Sequence, residues 1–203
     1  MRSGKEIILS LGKEVSGDFS LDLNEHLLEN YKQMFYYLTR NKMYQEYIDS
    51  GSEKCFDKGL LLYGNVGVGK SLFFKFLKRW YYSTEGLIYD RLEIAPFREI
   101  EKMYKEDGVK VWDDYGANLK TELAVDEVVK DENVEQKHYG NKENIFEELI
   151  LERYNLFIEK GIKTHFTTNA TPDQLKTLFH PRVADRIKEM CNVHLWQGES
   201  LRK

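Results

Sequence analysis

The sequence contains one stretch with the residue types and spacing of a phosphate-binding loop. Residues 64–71 read Gly-Asn-Val-Gly-Val-Gly-Lys-Ser and match the pattern G-x-x-x-x-G-K-[ST] in full. Glycines let backbone N–H groups turn toward a phosphate, Lys70 can reach the β- and γ-phosphates, and the Ser71 hydroxyl can bind magnesium. We therefore predict that ATP binds here together with Mg²⁺. The residues predicted to contact the nucleotide are Gly64, Asn65, Val66, Gly67, Val68, Gly69, Lys70, Ser71 and Leu72.

The residues on either side of this loop have the pattern that such a loop requires. The apolar run Gly59–Tyr63 precedes it, as a buried strand would. After the loop, apolar side chains recur at three- and four-residue steps, which predicts a helix over Lys70–Tyr82. The first turn of a helix carries a partial positive charge that favours phosphate. A strand, a loop and a helix in this order indicate a P-loop rather than an ordinary glycine-rich turn.

A pair of adjacent acids, Asp113 and Asp114, follows the short apolar run Val109–Trp112, which we predict to be a strand. Strand C-termini in a parallel sheet face the ligand crevice. Asp113 is therefore expected to meet the magnesium held by Ser71. Asp114 is expected near the γ-phosphate, where it would orient or deprotonate the attacking water. The alternative is a simple turn, because two acids before Tyr-Gly are also typical of turns.

Two further polar features lie nearer the C-terminus. Asn169 ends a predicted strand, where it could bind the attacking water or a γ-phosphate oxygen, but it could equally be a helix N-cap. Arg182 and Arg186 are four residues apart and share one helix face. They are either solvated surface residues or candidates for an arginine finger, which stabilises charge on a transferring phosphate and is often supplied by a neighbouring chain.

The rest of the chain alternates short apolar runs with amphipathic stretches, which is typical of an α/β fold with a mostly parallel sheet. A front section, residues 1–50, has a helical pattern from residue 24 to 48 and leads into a main domain over residues 51–203. The further predicted strands are Leu87–Tyr89, Leu92–Ile94, Lys163–Thr168 and Val193–Trp196. The further predicted helices are Phe97–Tyr104, Asn144–Lys160 and a stretch that starts at Pro172.

One segment, residues 117–142, interrupts this alternation with many acids and few large apolar residues. We expect an exposed loop or insertion there, and the alternative is a loop that faces a partner or DNA.

The composition of the chain limits the possible partners and locations. The net charge of −4 excludes a global basic field for nucleic acid, although a local basic face is possible. The sequence shows no metal-ligand spacing of cysteine and histidine, no signal peptide and no membrane span, so we expect a cytoplasmic protein.

Taken together, the motifs resemble a known family. A P-loop, then Asp-Asp-x-Gly, then Thr-Thr-Asn, then Arg-x-x-x-Arg, in that order, resembles the replicative helicase loaders of the DnaC type. The order is also similar to the IstB-type transposition helpers. The stretch from residue 138 to 153 looks like loader-like proteins of phages and mobile elements. The resemblance covers about residues 55–196.

The resemblance implies an AAA+ core with a five-stranded parallel sheet flanked by helices. The sequence departs from the larger AAA+ proteins because little of it follows the last predicted strand, so we expect no C-terminal helical lid. The resemblance also implies that Asp114 is the acidic partner in catalysis, Asn169 the first sensor, Arg186 the finger and Arg182 the second choice. It implies a self-associating ATPase that assembles on a replicative helicase and single-stranded DNA. An IstB-type helper would instead bind duplex DNA and a transposase. A P-loop kinase for a small metabolite is a third alternative, although the arginines after Asn169 fit an inter-subunit finger better.

Overall fold

The computed structural model describes residues 4–17, 25–48, 53–85, 91–116, 119–128, 136–138 and 141–201. The helices are α1 (Gly4–Ser16), α2 (Glu25–Leu38), α3 (Met43–Tyr47), α4 (Lys70–Glu85), α5 (Phe97–Asp107), α6 (Val111–Tyr115), α7 (Ile145–Lys160), α8 (Pro172–Leu178) and α9 (Pro181–Met190). The strands are β1 (Gly59–Tyr63), β2 (Leu92–Pro96), β3 (Glu122–Val128), β4 (Gln136–His138), β5 (Asn141–Glu143), β6 (Thr164–Thr168) and β7 (Cys191–Leu195). Short 3₁₀ turns cover Glu53–Asp57 and Gly108–Lys110.

Five of the strands form one parallel sheet in the order β2-β3-β6-β1-β7, and β4 pairs with β5 in a separate antiparallel ribbon. Strand β1 lies between β6 and β7, so Leu61 is in register with both Phe166 and Val193. This order brings the C-terminal ends of β1, β6 and β3 side by side. The prediction of a five-stranded, mostly parallel α/β sheet is confirmed.

Helices cover both faces of this sheet, because successive side chains of a strand point to opposite sides. Leu60 and Leu62 of β1 face a hydrophobic cluster built with α1, α2 and α4, whereas Leu61 faces a second cluster built with α5, α7 and α9. In the first cluster, the ring of Tyr31 on α2 makes edge-to-face contacts with Phe73 and Phe76 of α4. The front helices therefore share their core with the helix that follows the P-loop. Among the described helices, none has the length and apolar character needed to cross a bilayer.

Two sequence predictions about strands are wrong. The segment Val109–Trp112 is not a strand: its first residues form a 3₁₀ turn and α6 begins at Val111. Val109 is 68% exposed while Val111 is buried, so only part of this short run contributes to the core. The polar segment 117–142 contains β3, which lies inside the sheet between β2 and β6. The predicted strand Leu87–Tyr89 lies outside the described residues.

The remaining strand predictions agree with the structure within a few residues. β1 has the predicted bounds, and β2, β6 and β7 overlap their predicted runs. The long helix α7 ends where Gly161 adopts a left-handed backbone conformation with φ of 65°, as its predicted role as a C-terminal cap requires.

Candidate nucleotide-binding site

The P-loop connects β1 to α4, and its backbone requires glycine. Gly67 and Gly69 have φ of 85° and 95°, in the left-handed region that side chains with a Cβ rarely adopt. The loop lies against a cavity of about 190 Å³. The cavity is lined by Val66, Gly67, Gly69, Lys70, Ser71, Leu72, Glu127, Thr167, Asn169 and Leu201.

The lysine of the loop is held by hydrogen bonds at the floor of this cavity. Lys70 is only 7% exposed, and its Nζ donates to the carbonyl oxygens of Gly64 and Asn65, each at 2.7 Å. It also donates to Asn169 Oδ1 at 2.9 Å. Asn169 follows β6, the neighbour of β1, and so the sheet places its amide beside the P-loop lysine. The interpretation of Asn169 as a helix N-cap is wrong, because Thr171 caps α8 through its hydroxyl and a reciprocal bond from Gln174.

A carboxylate that the motif analysis missed contacts the loop serine. Ser71 Oγ donates to Asp126 Oδ1 at 2.9 Å, and Asp126 stands near the C-terminal end of β3. Thr167 on β6 donates to the same oxygen at 2.6 Å. One carboxylate and one hydroxyl, with phosphate oxygens from a substrate, make up the oxygen ligand set that Mg²⁺ commonly takes. Ser71 and Asp126 therefore have the chemistry to hold a nucleotide-bound magnesium ion.

A second acid, Glu127, directly follows Asp126 in the chain, and it lines the cavity whereas Asp126 does not. Glu127 is one of two described non-glycine residues with positive φ, at 58°, and the pairing of β3 with β6 shifts register between Val125 and Val128. The shift removes the Glu127 N–H from the sheet ladder, and this N–H donates instead to Thr167 Oγ1 at 2.8 Å. Thr167 thus contacts both acids, through the side chain of one and the backbone of the other.

The acids predicted from the sequence lie elsewhere. Asp113 and Asp114 are exposed residues of α6, and neither lines the cavity at the P-loop. Their assignment to magnesium and to the attacking water depended on a strand over Val109–Trp112, and that strand does not exist. A usable signal was present at β3, where the apolar run Leu123–Val125 directly precedes an Asp-Glu pair.

The two candidate arginines lie on α9, away from this cavity. The Arg186 guanidinium stacks 4.8 Å from the centre of the Tyr154 ring, and Arg186 is half-buried. The Arg182 side chain is exposed. Neither arginine lines the cavity formed by its own P-loop.

Of the nine predicted nucleotide-binding residues, six line the cavity, and Gly64, Asn65 and Val68 do not. Val68 is buried, and its carbonyl accepts a hydrogen bond from the Trp196 ring N–H at 2.9 Å. Asn65 contributes its carbonyl to Lys70. Among the described residues, no group of three or more His, Cys, Asp or Glu is placed to hold a metal ion.

Comparison with known proteins identifies the fold. No protein-family model and no curated protein sequence matches the chain. Among solved structures, DnaI matches with a TM-score of 0.61 and 18% identity, over 100% of this chain and 94% of DnaI. A candidate primosome component from Streptococcus pyogenes serotype M3 matches with a TM-score of 0.54 and 19% identity, over 71% of each chain. The DnaC helicase loader matches at a TM-score of 0.46 and 17% identity, over 79% of this chain and 90% of that one.

The first two matches show the fold. The chain shares its fold, five parallel strands flanked by helices, with DnaI and with the candidate primosome component. The α/β fold that the motif resemblance implies is therefore confirmed.

Proposed function

We propose that this chain binds ATP with Mg²⁺ at the P-loop, hydrolyses it, and acts in DNA replication as a helicase loader. One observation carries the ATPase part of this proposal. Ser71, Asp126, Thr167 and Glu127 form a continuous set of hydrogen-bonded or adjacent groups beside the P-loop. A P-loop alone indicates phosphate binding, whereas the two acids near the C-terminal end of β3 add the groups needed for hydrolysis.

The roles follow from position. Ser71 and Asp126 would hold magnesium, which neutralises charge on the phosphate oxygens during transfer. Lys70 would pair with the β- and γ-phosphates. Glu127 lines the cavity and would orient or deprotonate the attacking water, while Asn169 would hydrogen-bond that water or a γ-phosphate oxygen.

The position of α9 supports a site shared between two chains. Arg182 and Arg186 do not line the cavity of their own chain, which is compatible with a role at the nucleotide of a neighbouring chain. We infer an ATP-dependent oligomer in which one of them acts as an arginine finger. The Arg182 side chain is exposed, while the Arg186 guanidinium is stacked on Tyr154.

The partners follow from the motif resemblance and from the AAA+ fold shared with DnaI and with the candidate primosome component. On this basis the chain binds a replicative helicase and single-stranded DNA. An IstB-type role, with duplex DNA and a transposase, is the second candidate, because the same order of motifs supports it.

The test starts with nucleotide binding. Lys70→Ala should abolish tight binding of a fluorescent ATP analogue, because it removes the only cation that lines the cavity among the described residues. Lys75→Ala is the matched control, since Lys75 is an exposed residue of the same helix. Unchanged affinity in Lys70→Ala would refute the phosphate assignment.

The second step concerns the partner. Fluorescence anisotropy with labelled single-stranded and duplex DNA, at low salt and with ATP, separates the two proposed roles. Tighter binding to single strands supports the loader, and preference for duplex supports the transposition helper. Binding of neither would contradict both. A pull-down from the native host then asks whether a replicative helicase or a transposase is retained.

A further inference from the structure

The segment that follows β7 lies against the P-loop along its whole length. We call residues 196–201 the strap. The Trp196 N–H donates to the carbonyl of Tyr63 at 2.7 Å, just before the loop. Its ring N–H donates to Val68 O at 2.9 Å, and the Leu201 N–H donates to Gly67 O at 2.9 Å. The two ends of the strap, Trp196 and Leu201, thus donate hydrogen bonds to the residue before the loop and to the middle of the loop.

The fit between strap and loop is close. A Cβ placed on Gly64 would lie 2.3 Å from the Trp196 carbonyl oxygen, and one on Gly67 would lie 2.3 Å from Ser200 Oγ. Two of the loop glycines are therefore required by the strap as well as by a phosphate. The strap is also held from the side, because Asn30 Nδ2 on α2 donates to the Gln197 carbonyl at 2.8 Å.

Leu201 brings an apolar side chain to the cavity. It is 41% exposed and lines the cavity with Val66 and Leu72. The other side chains of the lining are polar: Lys70, Ser71, Glu127, Thr167 and Asn169. The polar groups suit a triphosphate and its metal. An exposed leucine does nothing for a phosphate, but it provides apolar surface for the flat face of a base or for a ribose.

We propose that the strap is part of the nucleotide site, with Leu201 forming the wall that the base and ribose contact. This inference rests on the proposed function, because it assumes that the polar groups bind the triphosphate. It predicts that the strap contributes to affinity for a nucleoside triphosphate and not to affinity for the triphosphate group itself.

The experiment compares two ligands on the full chain. A fluorescent ATP analogue is displaced either by ATP or by inorganic tripolyphosphate, each with Mg²⁺. Leu201→Ala should lower the affinity for ATP about tenfold, since it removes apolar surface that the base would bury. The affinity for tripolyphosphate should be unchanged. Leu201→Met keeps an apolar side chain and should restore most of the ATP affinity.

The control is Leu195→Ala. Leu195 is a leucine of similar exposure, 46%, at the end of β7, and it does not line the cavity. It should bind both ligands like the unmodified chain.

The outcomes distinguish a failure of the proposal for Leu201 from a failure of the phosphate site at Lys70. Equal loss of ATP and tripolyphosphate in Leu201→Ala would overturn the base wall, since the strap would then only support the loop. No loss of either ligand would overturn it as well. Lys70→Ala should lose both ligands, and if it keeps both, the phosphate site itself is wrong, whatever Leu201 does.

Discussion

Two of the chain's pairs of adjacent acids follow short apolar runs, and only one of these two pairs meets the P-loop. Asp113 and Asp114 are exposed on α6, whereas Asp126 and Glu127 stand at the C-terminal end of β3. The residue types are nearly the same. The difference lies in the preceding element, because β3 is adjacent to β6 and β6 to β1, so the sheet itself delivers the second pair to the P-loop. Whether an acid pair lies near the P-loop therefore depends on the position in the sheet of the element that carries it.

The backbone at the second pair is also unusual. The register shift in β3 sets Glu127 at a positive φ, which costs roughly 1–3 kcal/mol for a non-glycine residue. Such a conformation persists only when surrounding contacts hold it. Thr167 supplies one of those contacts by accepting the Glu127 N–H. No positive φ occurs in α6.

The largest expected effect is on ATP turnover, and it directly tests the difference between the two acid pairs. Glu127→Gln should lower ATP turnover roughly 10²- to 10⁴-fold while ATP still binds, because the amide cannot accept a proton from water. Asp114→Asn should hydrolyse ATP at the rate of the unmodified chain. Steady-state phosphate release and nucleotide titration measure the two quantities. Normal turnover in Glu127→Gln together with loss in Asp114→Asn would return the catalytic role to α6.

An intermediate effect is expected at the residue that joins the two acids. Thr167→Val keeps the shape of the side chain but removes the hydroxyl that contacts Asp126 and the Glu127 N–H. Turnover should fall roughly 10- to 100-fold, as for other groups that orient metal ligands, and the Mg²⁺ concentration for half-maximal activity should rise. Thr167→Ser restores the hydroxyl and should restore both values.

Thr164→Val is the matched control for this variant. Thr164 is buried at the other end of β6, and its hydroxyl accepts from Arg153 Nε at 2.8 Å. Its loss should lower stability without changing the Mg²⁺ dependence. A shift of that dependence in Thr164→Val as large as in Thr167→Val would show that any buried hydroxyl of β6 has the same effect.

The smallest expected effect on activity concerns an acid at the opposite end of β3. Glu122 accepts a hydrogen bond from Tyr81 at 2.9 Å and pairs with Arg91 at 3.2 Å. Burial alone would raise the pKa of Glu122, but the hydrogen bond from His165 and the charges of Lys163 and Arg91 outweigh it and lower the pKa. Glu122→Gln should therefore reduce the free energy of unfolding at pH 7 by roughly 1–3 kcal/mol and leave turnover unchanged.

The contribution of Glu122 to the free energy of unfolding should depend on pH in a definite direction. A carboxyl group whose pKa is lowered by folding stabilises the native state above its unfolded pKa of about 4.5, and this stabilisation is lost as the pH falls below that value. Urea unfolding at pH 7 and pH 3 should show the difference between Glu122→Gln and the unmodified chain shrinking at the lower pH. A constant difference would mean that the charge of Glu122 contributes nothing.

The sequence predicts some parts of this site better than others for a physical reason. The P-loop is a contiguous motif, because its glycines, Lys70 and Ser71 follow one another in the chain. The apolar pattern on each side of it predicts the strand and the helix. The sequence predicts the place of Asn169 beside the P-loop because β6 is a continuous run that ends in polar residues. It does not predict β3, because Glu122, Asp126 and Glu127 interrupt its apolar pattern and only three consecutive residues are apolar.

The strap was missed for a different reason. Nothing in Gln197–Leu201 has periodicity or a motif, and its place beside Gly67 is set by β7 pairing with β1. Long-range pairing of this kind leaves no local signature. The strand Val109–Trp112 was predicted wrongly because an apolar run of that length is equally compatible with a short helix.

The sheet order also sets when the nucleotide site can form during synthesis. Leu61 in β1 pairs with Phe166 and Val193, each more than one hundred residues later in the chain. At ribosomal speeds of about 5–20 residues per second, β6 and β7 are synthesised on the order of ten seconds after β1 and the P-loop. During that time both edges of an apolar strand are unpaired, a state prone to aggregation. The proposed nucleotide site is completed only after this interval, because Asp126, Asn169 and Leu201 reach the loop only after the late strands pair.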